Sequence, residues 1–134
     1  LLRLTLDLGK TLLLPRVEGA RQMTMRQIRD LSALIPGAYG IPEPPESAPI
    51  LSPDAIDLLL APLEGIASDG TRLGKGGGYY DGLLPLKNGI ALGCALPWQW
   101  VDGIPRESWD IPLDACVDGE EIRYFSGGKN PSKS

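Results

Sequence analysis

Leucines at positions 1, 4 and 8 recur at the helical period, so residues 1–8 predict a short helix with one apolar face. Gly9 is its natural stop, because a residue without Cβ can leave the helix through the left-handed region. Thr11-Leu-Leu-Leu-Pro15 is a continuous apolar run, the pattern of a buried strand that Pro15 would close. Met23, Met25, Ile28, Leu31 and Leu34 predict a strand and then a short helix over residues 22–35. Residues 36–53 are dense in proline and predict an extended loop, ending in a helical turn at Ser52-Pro53-Asp54. A second buried strand is expected at Ile56–Ala61, stopped by Pro62, and a turn at Ser68-Asp69-Gly70. Gly78 to Leu84 can begin a helix that Pro85 limits, and Gly89–Leu96 reads as a third buried strand. Ala115-Cys-Val117 and Ile122–Phe125, around Asp118-Gly119, predict a closing hairpin.

Apolar strands separated by helical or long connections predict a parallel sheet covered on both faces. The expected fold class is therefore α/β, a three-layer Rossmann-like fold with a mainly parallel sheet. With 134 residues there is room for one core, so residues 1–125 are read as a single α/β domain. Residues 126–134 are small and polar and are read as a disordered tail. The chain opens on Leu1 rather than Met, in the apolar half of a helix, and the fold is expected to be N-terminally incomplete.

Charge and composition narrow the chemistry. The net charge of −4 and the pI near 4.8 argue against a broad nucleic-acid footprint, which needs a basic face. No apolar run reaches the length of a membrane span and no secretory signal is present, so no membrane partner and a cytoplasmic location are expected. Cys94 and Cys116 sit in apolar runs and read as two buried reduced thiols. The chain has no histidine, which removes the commonest general base and zinc ligand. Catalysis must then use carboxylates, lysine, arginine, tyrosine or a bound metal.

Against that acidic background one segment stands out: Arg72-Leu-Gly-Lys-Gly-Gly-Gly-Tyr-Tyr-Asp81. Glycines let a backbone approach a ligand closely, Arg72 and Lys75 supply positive charge, and Asp81 supplies a hard oxygen ligand. A glycine run alone is more readily a flexible turn. Here it follows a predicted strand, where ligands of α/β sheets bind, and leads into a predicted helix start that favours anions. The inventory suits a nucleoside triphosphate with its magnesium. It is not a P-loop, since the Gly-Lys-Ser/Thr ending is missing, nor does it have the dinucleotide-fold glycine spacing. Asp81 reads either as the metal contact or as a carboxylate complementing the helix dipole.

The segment resembles the signature of the 5-formyltetrahydrofolate cyclo-ligase (methenyltetrahydrofolate synthetase) family. The resemblance extends in order over residues 1–118: Gly9-Lys-Thr-Leu-Leu-Leu-Pro-Arg16, Tyr39-Gly-Ile-Pro-Glu-Pro44, Asp57-Leu-Leu-Leu-Ala-Pro62, then Gln99, Pro105 and Asp110-Ile-Pro-Leu-Asp114. It implies an enzyme that uses MgATP to convert 5-formyltetrahydrofolate to 5,10-methenyltetrahydrofolate, releasing ADP and phosphate. It implies that Arg72, Leu73, Gly74, Lys75, Gly76, Gly77, Gly78, Tyr79 and Tyr80 cradle ATP, with Arg72 and Lys75 as the catalytic cations. Asp81 and Asp110 would hold Mg2+, and Tyr39, Glu43 and Tyr79 would face the folate. Tyr80 reads equally as a core aromatic, Glu43 equally as a structural loop residue, and Trp98, Trp100 and Trp109 as packing residues.

Four departures from the family pattern are visible. Ala67 stands where members usually carry Asp, Gly82 where many carry Arg, and Trp109 where His or Asn is usual. The N-terminal segment, which in the family carries a Lys/Arg cluster for ATP and a Glu for folate, has no counterpart. Two other functions compete: a paralogue that binds nucleotide or folate without turnover, and a sugar-phosphate or acyl-transfer enzyme of similar fold.

Overall fold

The computed structural model describes residues 1–37, 40–74, 78–105 and 111–129. They fall into two compact units, Leu1–Pro53 and Asp54–Ser134.

The first unit opens with helix α1 (Leu2–Asp7). Gly9, at φ +74°, ends it as expected: the Gly9 N–H donates to Leu6 O and the Lys10 N–H to Thr5 O, the paired bonds of a Schellman cap. None of the helix residues is buried. A long hairpin follows, β1 (Leu12–Gly19) antiparallel to β2 (Gln22–Ile28), turning at Ala20-Arg21 with Arg21 at φ 58°. The expected strand therefore does not close at Pro15. β1 is the edge strand of its sheet, where a missing N–H is tolerated, and it runs four residues further. The short helix expected after β2 is a single 3-10 turn, Leu31–Ala33, capped by the Asp30 carboxylate on the Ser32 N–H. The proline-dense stretch contributes three two-residue strands, β3 (Ile35–Pro36), β4 (Pro42–Glu43) and β5 (Ile50–Leu51).

Two arginines of the hairpin hold that stretch. Arg26, 6% exposed, donates to Glu46 O at 2.6 Å, Ala48 O at 2.9 Å and Glu18 Oε1 at 2.9 Å. Arg16 donates to Pro44 O at 3.0 Å and lies 3.6 Å from Glu43 Oε1. A buried guanidinium is tolerated because its donors meet carbonyls and carboxylates. Hydrogen bonds from Thr24 and Arg26 in turn hold the Glu18 carboxyl below its ordinary pKa.

The described residues of the second unit form two sheets. Strands β6 (Leu58–Leu60), β9 (Ile90–Ala95) and β11 (Ala115–Asp118) are parallel, in the order β11-β9-β6, and β12 (Glu121–Tyr124) adds antiparallel beside β11. The predicted closing hairpin is present, turning through Gly119 at φ +67°. The other sheet pairs β7 (Gly65–Ala67) with β8 (Arg72–Leu73), antiparallel through the expected turn at residues 68–70, and with β10 (Trp100–Val101), parallel. Helix α2 (Tyr79–Leu83) leads into a 3-10 turn at Leu84–Leu86, so Pro85 limits the helix as expected.

The larger sheet buries one face. Leu59, Ala91, Ala95 and Cys116 alternate inward, together with Leu83, Leu84 and Leu113. The register places Leu58, Leu60, Ile122 and Tyr124 on the opposite face, where they are 41–55% exposed. Cover on both faces was expected; among the described residues these four side chains are left open, while Ala115 on the same face is buried. Cys94 shares the open face and is exposed, whereas Cys116 is buried, and burial pushes its thiol pKa up to about 11. Both thiols are free, but only Cys116 is buried as the apolar runs suggested. Trp100 packs on Phe125 at 6.2 Å between ring centroids and carries Arg123 on its ring at 4.3 Å. Trp98, expected to pack, is 76% exposed, and Trp109 lies outside the described residues.

Asp114 joins several elements of this unit. Its Oδ2 accepts from the Ala91 N–H at 2.7 Å and from Lys87 Nζ at 2.7 Å, and its Oδ1 accepts from the Lys129 N–H at 2.8 Å. Burial alone would raise its pKa, but these bonds outweigh it and hold the carboxyl below its usual value. The stability it contributes is therefore present above the ordinary carboxylate pKa of about 3.9 and is lost as pH falls through the lowered one. Melting temperature followed down through that window should fall less steeply for Asp114→Asn than for the wild type; parallel acid limbs would remove Asp114 as the acid-sensitive group. In the first unit, Arg26→Met should lower stability by about 1–3 kcal/mol, because it leaves two part-buried carbonyls and the Glu18 carboxylate without their donor. The urea midpoint reads this directly, and an unchanged midpoint would show that Arg26 does not hold the loop.

Candidate functional site

The glycine segment begins on β8 and ends in α2. β8 is short because Gly74 follows it at once, and the Glu64 N–H donates to Leu73 O at 2.7 Å to finish the ladder. Gly78 enters α2 at φ +74°, a left-handed conformation that costs glycine nothing. α2 is five residues long, so the dipole expected to favour an anion is that of little more than one turn. Lys75, Gly76 and Gly77 lie outside the described residues.

The two ends of the segment are joined by Arg72. Its Nη1 donates to the Pro62 carbonyl at 2.7 Å and its Nη2 to Asp81 Oδ1 at 3.1 Å. The guanidinium carbon lies 5.7 Å from the Tyr80 ring centroid, a cation–π distance. A Cβ at residue 74 would lie 2.7 Å from Arg72 Nη1, so a side chain there would displace the tip of the guanidinium. The Arg72 side chain is 7% exposed, whereas that of Asp81 is 66% exposed. Burial raises the Tyr80 pKa, opposed by the Arg72 charge, so Tyr80 is a neutral phenol. Leu73 is half-exposed, and Tyr79 and Tyr80 are partly buried.

Of the residues expected to face folate, Glu43 lies in the first unit and is 9% exposed. It accepts from the Val17 N–H at 3.4 Å, lies beside Arg16, and packs against Gly37 so closely that a Cβ there would come within 2.3 Å of it. Its loop role is thus structural in the geometry seen. Tyr39 and Asp110 lie outside the described residues.

Arg72, Gly74, Tyr80 and Asp81 are therefore brought together, as the sequence suggested, but with Arg72 turned into the protein. Its partner at Pro62 is a backbone carbonyl, which leaves no side-chain signal in a sequence. Lys87, missed altogether, pairs with Asp114 across 27 positions. Gln99, part of the closing block, donates to Leu63 O at 3.3 Å and accepts from the Leu96 N–H at 2.8 Å, a structural use.

Ala67, where a carboxylate was expected, is 4% exposed in β7. Among the described residues no three metal-ligating side chains cluster. An exposed single carboxylate beside a glycine loop fits magnesium, which keeps waters and binds through one or two carboxylates and substrate phosphates. Among the described residues no helix is long and apolar enough to cross a membrane.

A sequence model of the 5-formyltetrahydrofolate cyclo-ligase family matches residues 1–119. The 5-formyltetrahydrofolate cyclo-ligase of Haemophilus influenzae is 39% identical over 79 residues, covering 56% of this chain and 42% of the relative. The Escherichia coli enzyme of the same name is 32% identical over 120 residues, covering 85% of this chain and 66% of the relative. Among solved structures, the Aquifex aeolicus 5,10-methenyltetrahydrofolate synthetase superposes with a TM-score of 0.78 at 34% identity, over 96% of this chain and 64% of that one. The chain thus spans two thirds or less of the length of these relatives. The match runs through both compact units and includes the glycine segment with its arginine and aspartate, and on it the chain belongs to the 5-formyltetrahydrofolate cyclo-ligase family.

Proposed function

We propose that this chain is part of an ATP-dependent enzyme that converts 5-formyltetrahydrofolate to 5,10-methenyltetrahydrofolate, with release of ADP and phosphate. The observation that carries the reading is the family match over residues 1–119, with the glycine segment intact inside it. A formamide oxygen is a poor leaving group. ATP supplies a phosphoryl group that makes it a good one, after which the second folate nitrogen can close the ring as phosphate departs. That chemistry needs no histidine, and the protein's work is positioning and charge neutralisation.

In this reading the backbone from Arg72 to Tyr80 lies along the ATP phosphates, with Lys75 as the cation that reaches them. Asp81 and Asp110 hold Mg2+, which screens the phosphate charge when bound. Tyr79 and Tyr39 contact the folate, and Glu43 shapes the loop on which Tyr39 lies. Residues 1–125 belong to an α/β domain of three-layer, Rossmann-like type, a reading supported by the parallel register of β6, β9 and β11. Two free thiols are in keeping with a cytoplasmic protein. Ala67 favours a second reading, a paralogue that binds nucleotide without turnover, because it puts a buried methyl where the family carries a carboxylate.

Protein supplied with MgATP and 5-formyltetrahydrofolate should form the methenyl product, followed by its near-ultraviolet absorbance. ATP binding with no product would favour the non-catalytic reading, and neither binding nor product would sink both. Asp81→Ala should lower turnover by about 100-fold or more, since it removes a metal contact. A near-normal rate would take Asp81 out of the metal site.

A further inference from the structure

The larger sheet ends on two edge strands, β6 and β12. An edge offers a row of backbone N–H and C=O groups to any strand that comes alongside. β6 is three residues long and Pro62 soon stops it. All four residues of β12, Glu121-Ile-Arg-Tyr124, are exposed. Apart from its brevity, β12 has none of the devices that blunt an edge: it holds no proline, no lysine and no bulge. Its hairpin closes on the pair Asp118 and Glu121, across the two residues Gly119-Glu120. In a ladder closed in this way, Glu121 and Arg123 turn their N–H and C=O toward β11, and Ile122 and Tyr124 turn theirs outward. The Phe125 N–H, which donates to Asp114 O at 2.9 Å, continues the same alternation. Beyond β12 the chain turns back toward β11, where the Lys129 N–H meets Asp114 Oδ1 at 2.8 Å.

We propose that β12 is a docking edge for a second copy of this chain, the two strands pairing antiparallel about a twofold axis at Ile122. The strand's own sequence selects that register. With Ile122 opposite its copy, outward backbone groups meet outward backbone groups, and Glu121 of each chain falls opposite Arg123 of the other. A one-residue slip would set side chains of opposite faces against each other. The next registers that keep the faces matched place Glu121 opposite Glu121, or Arg123 opposite Arg123, and like charges directly opposite oppose pairing.

Each face of the pairing gains something. On the open face, Ile122 and Tyr124 are 51% and 41% exposed, and the second copy sets Ile122 against Ile122 with Tyr124 diagonal to it. On the other face, Arg123 is already placed: its Nη2 donates to Asp118 Oδ2 at 2.8 Å and its guanidinium lies on the Trp100 ring at 4.3 Å. A guanidinium has five N–H donors, so the half-exposed Arg123 can take a second carboxylate while keeping Asp118. Little side-chain freedom is then lost when Glu121 of the other chain arrives. The contact is one short strand and falls below the size of a stable dimer interface, so the expected Kd is weak, on the order of 10–100 μM.

The test is sedimentation equilibrium of the 134-residue chain from about 1 μM to 1 mM. The mean mass should rise from one chain toward two within that range. Ile122→Pro removes an outward N–H without touching the ladder to β11, and should weaken the dimer by about tenfold or more. Glu121→Arg and Arg123→Glu should each weaken it by about tenfold, and the variant carrying both exchanges, which restores opposite charges across the axis, should dimerise more tightly than either single one. The charge exchange decides alone if the proline variant does not fold. A chain that stays monomeric throughout, a dimer that Ile122→Pro leaves within about threefold of the wild type, or a double variant no tighter than the single ones would overturn the proposal.

Discussion

A buried guanidinium joins the strand before the glycine loop to the helix after it. Arg72 is bonded to the Pro62 carbonyl and to Asp81, so the two ends of a segment rich in glycine are tied at one point. Glycine-rich backbone is expensive to order, since each glycine gives up more freedom than any other residue. A single charge-assisted contact fixes the spacing of the two ends. The same contact aims a carboxylate outward, and on that carboxylate the proposed metal chemistry depends. Structure and the proposed function thus share one ion pair.

The two units use the same device elsewhere. Arg26 is nearly enclosed and meets two carbonyls and a carboxylate, and Lys87 meets Asp114 and the Gly89 carbonyl. In each case a long cationic side chain satisfies backbone acceptors of a segment that has few ladder bonds of its own. Proline-dense stretches and short strands leave many carbonyls without amide partners, and a cation with several donors can serve them together. These charges are tolerated inside because their donors are used, and the cost of removing one partner is that of stranding the other.

Much of the larger sheet was legible from the chain. The apolar runs at Ile56–Ala61 and Gly89–Leu96 and the closing hairpin lie where expected, because continuous runs of leucine, isoleucine and alanine have few alternatives. The same runs misled on exposure: Leu58 and Leu60 alternate outward, and a run of leucines does not say which face is covered. The β1–β2 hairpin was hidden, because Pro15 reads as a terminator and the turn at Ala20-Arg21 has no glycine or asparagine to announce it. The glycine loop's inventory was readable, but the orientation of Arg72 was not, since it depends on a carbonyl ten residues away. Glu43 shows the converse: its motif was visible, while its burial against Arg16 and Gly37 required the fold.

The central proposal is that the segment from Arg72 to Asp81 binds nucleotide phosphates, with Asp81 as a metal contact. A crystal structure with a non-hydrolysable ATP analogue and Mn2+ tests it most directly, because manganese can be located by its anomalous signal. The account predicts phosphates against the glycine segment and manganese at the Asp81 carboxylate. Nucleotide lodged away from the segment, or manganese away from Asp81, would contradict it.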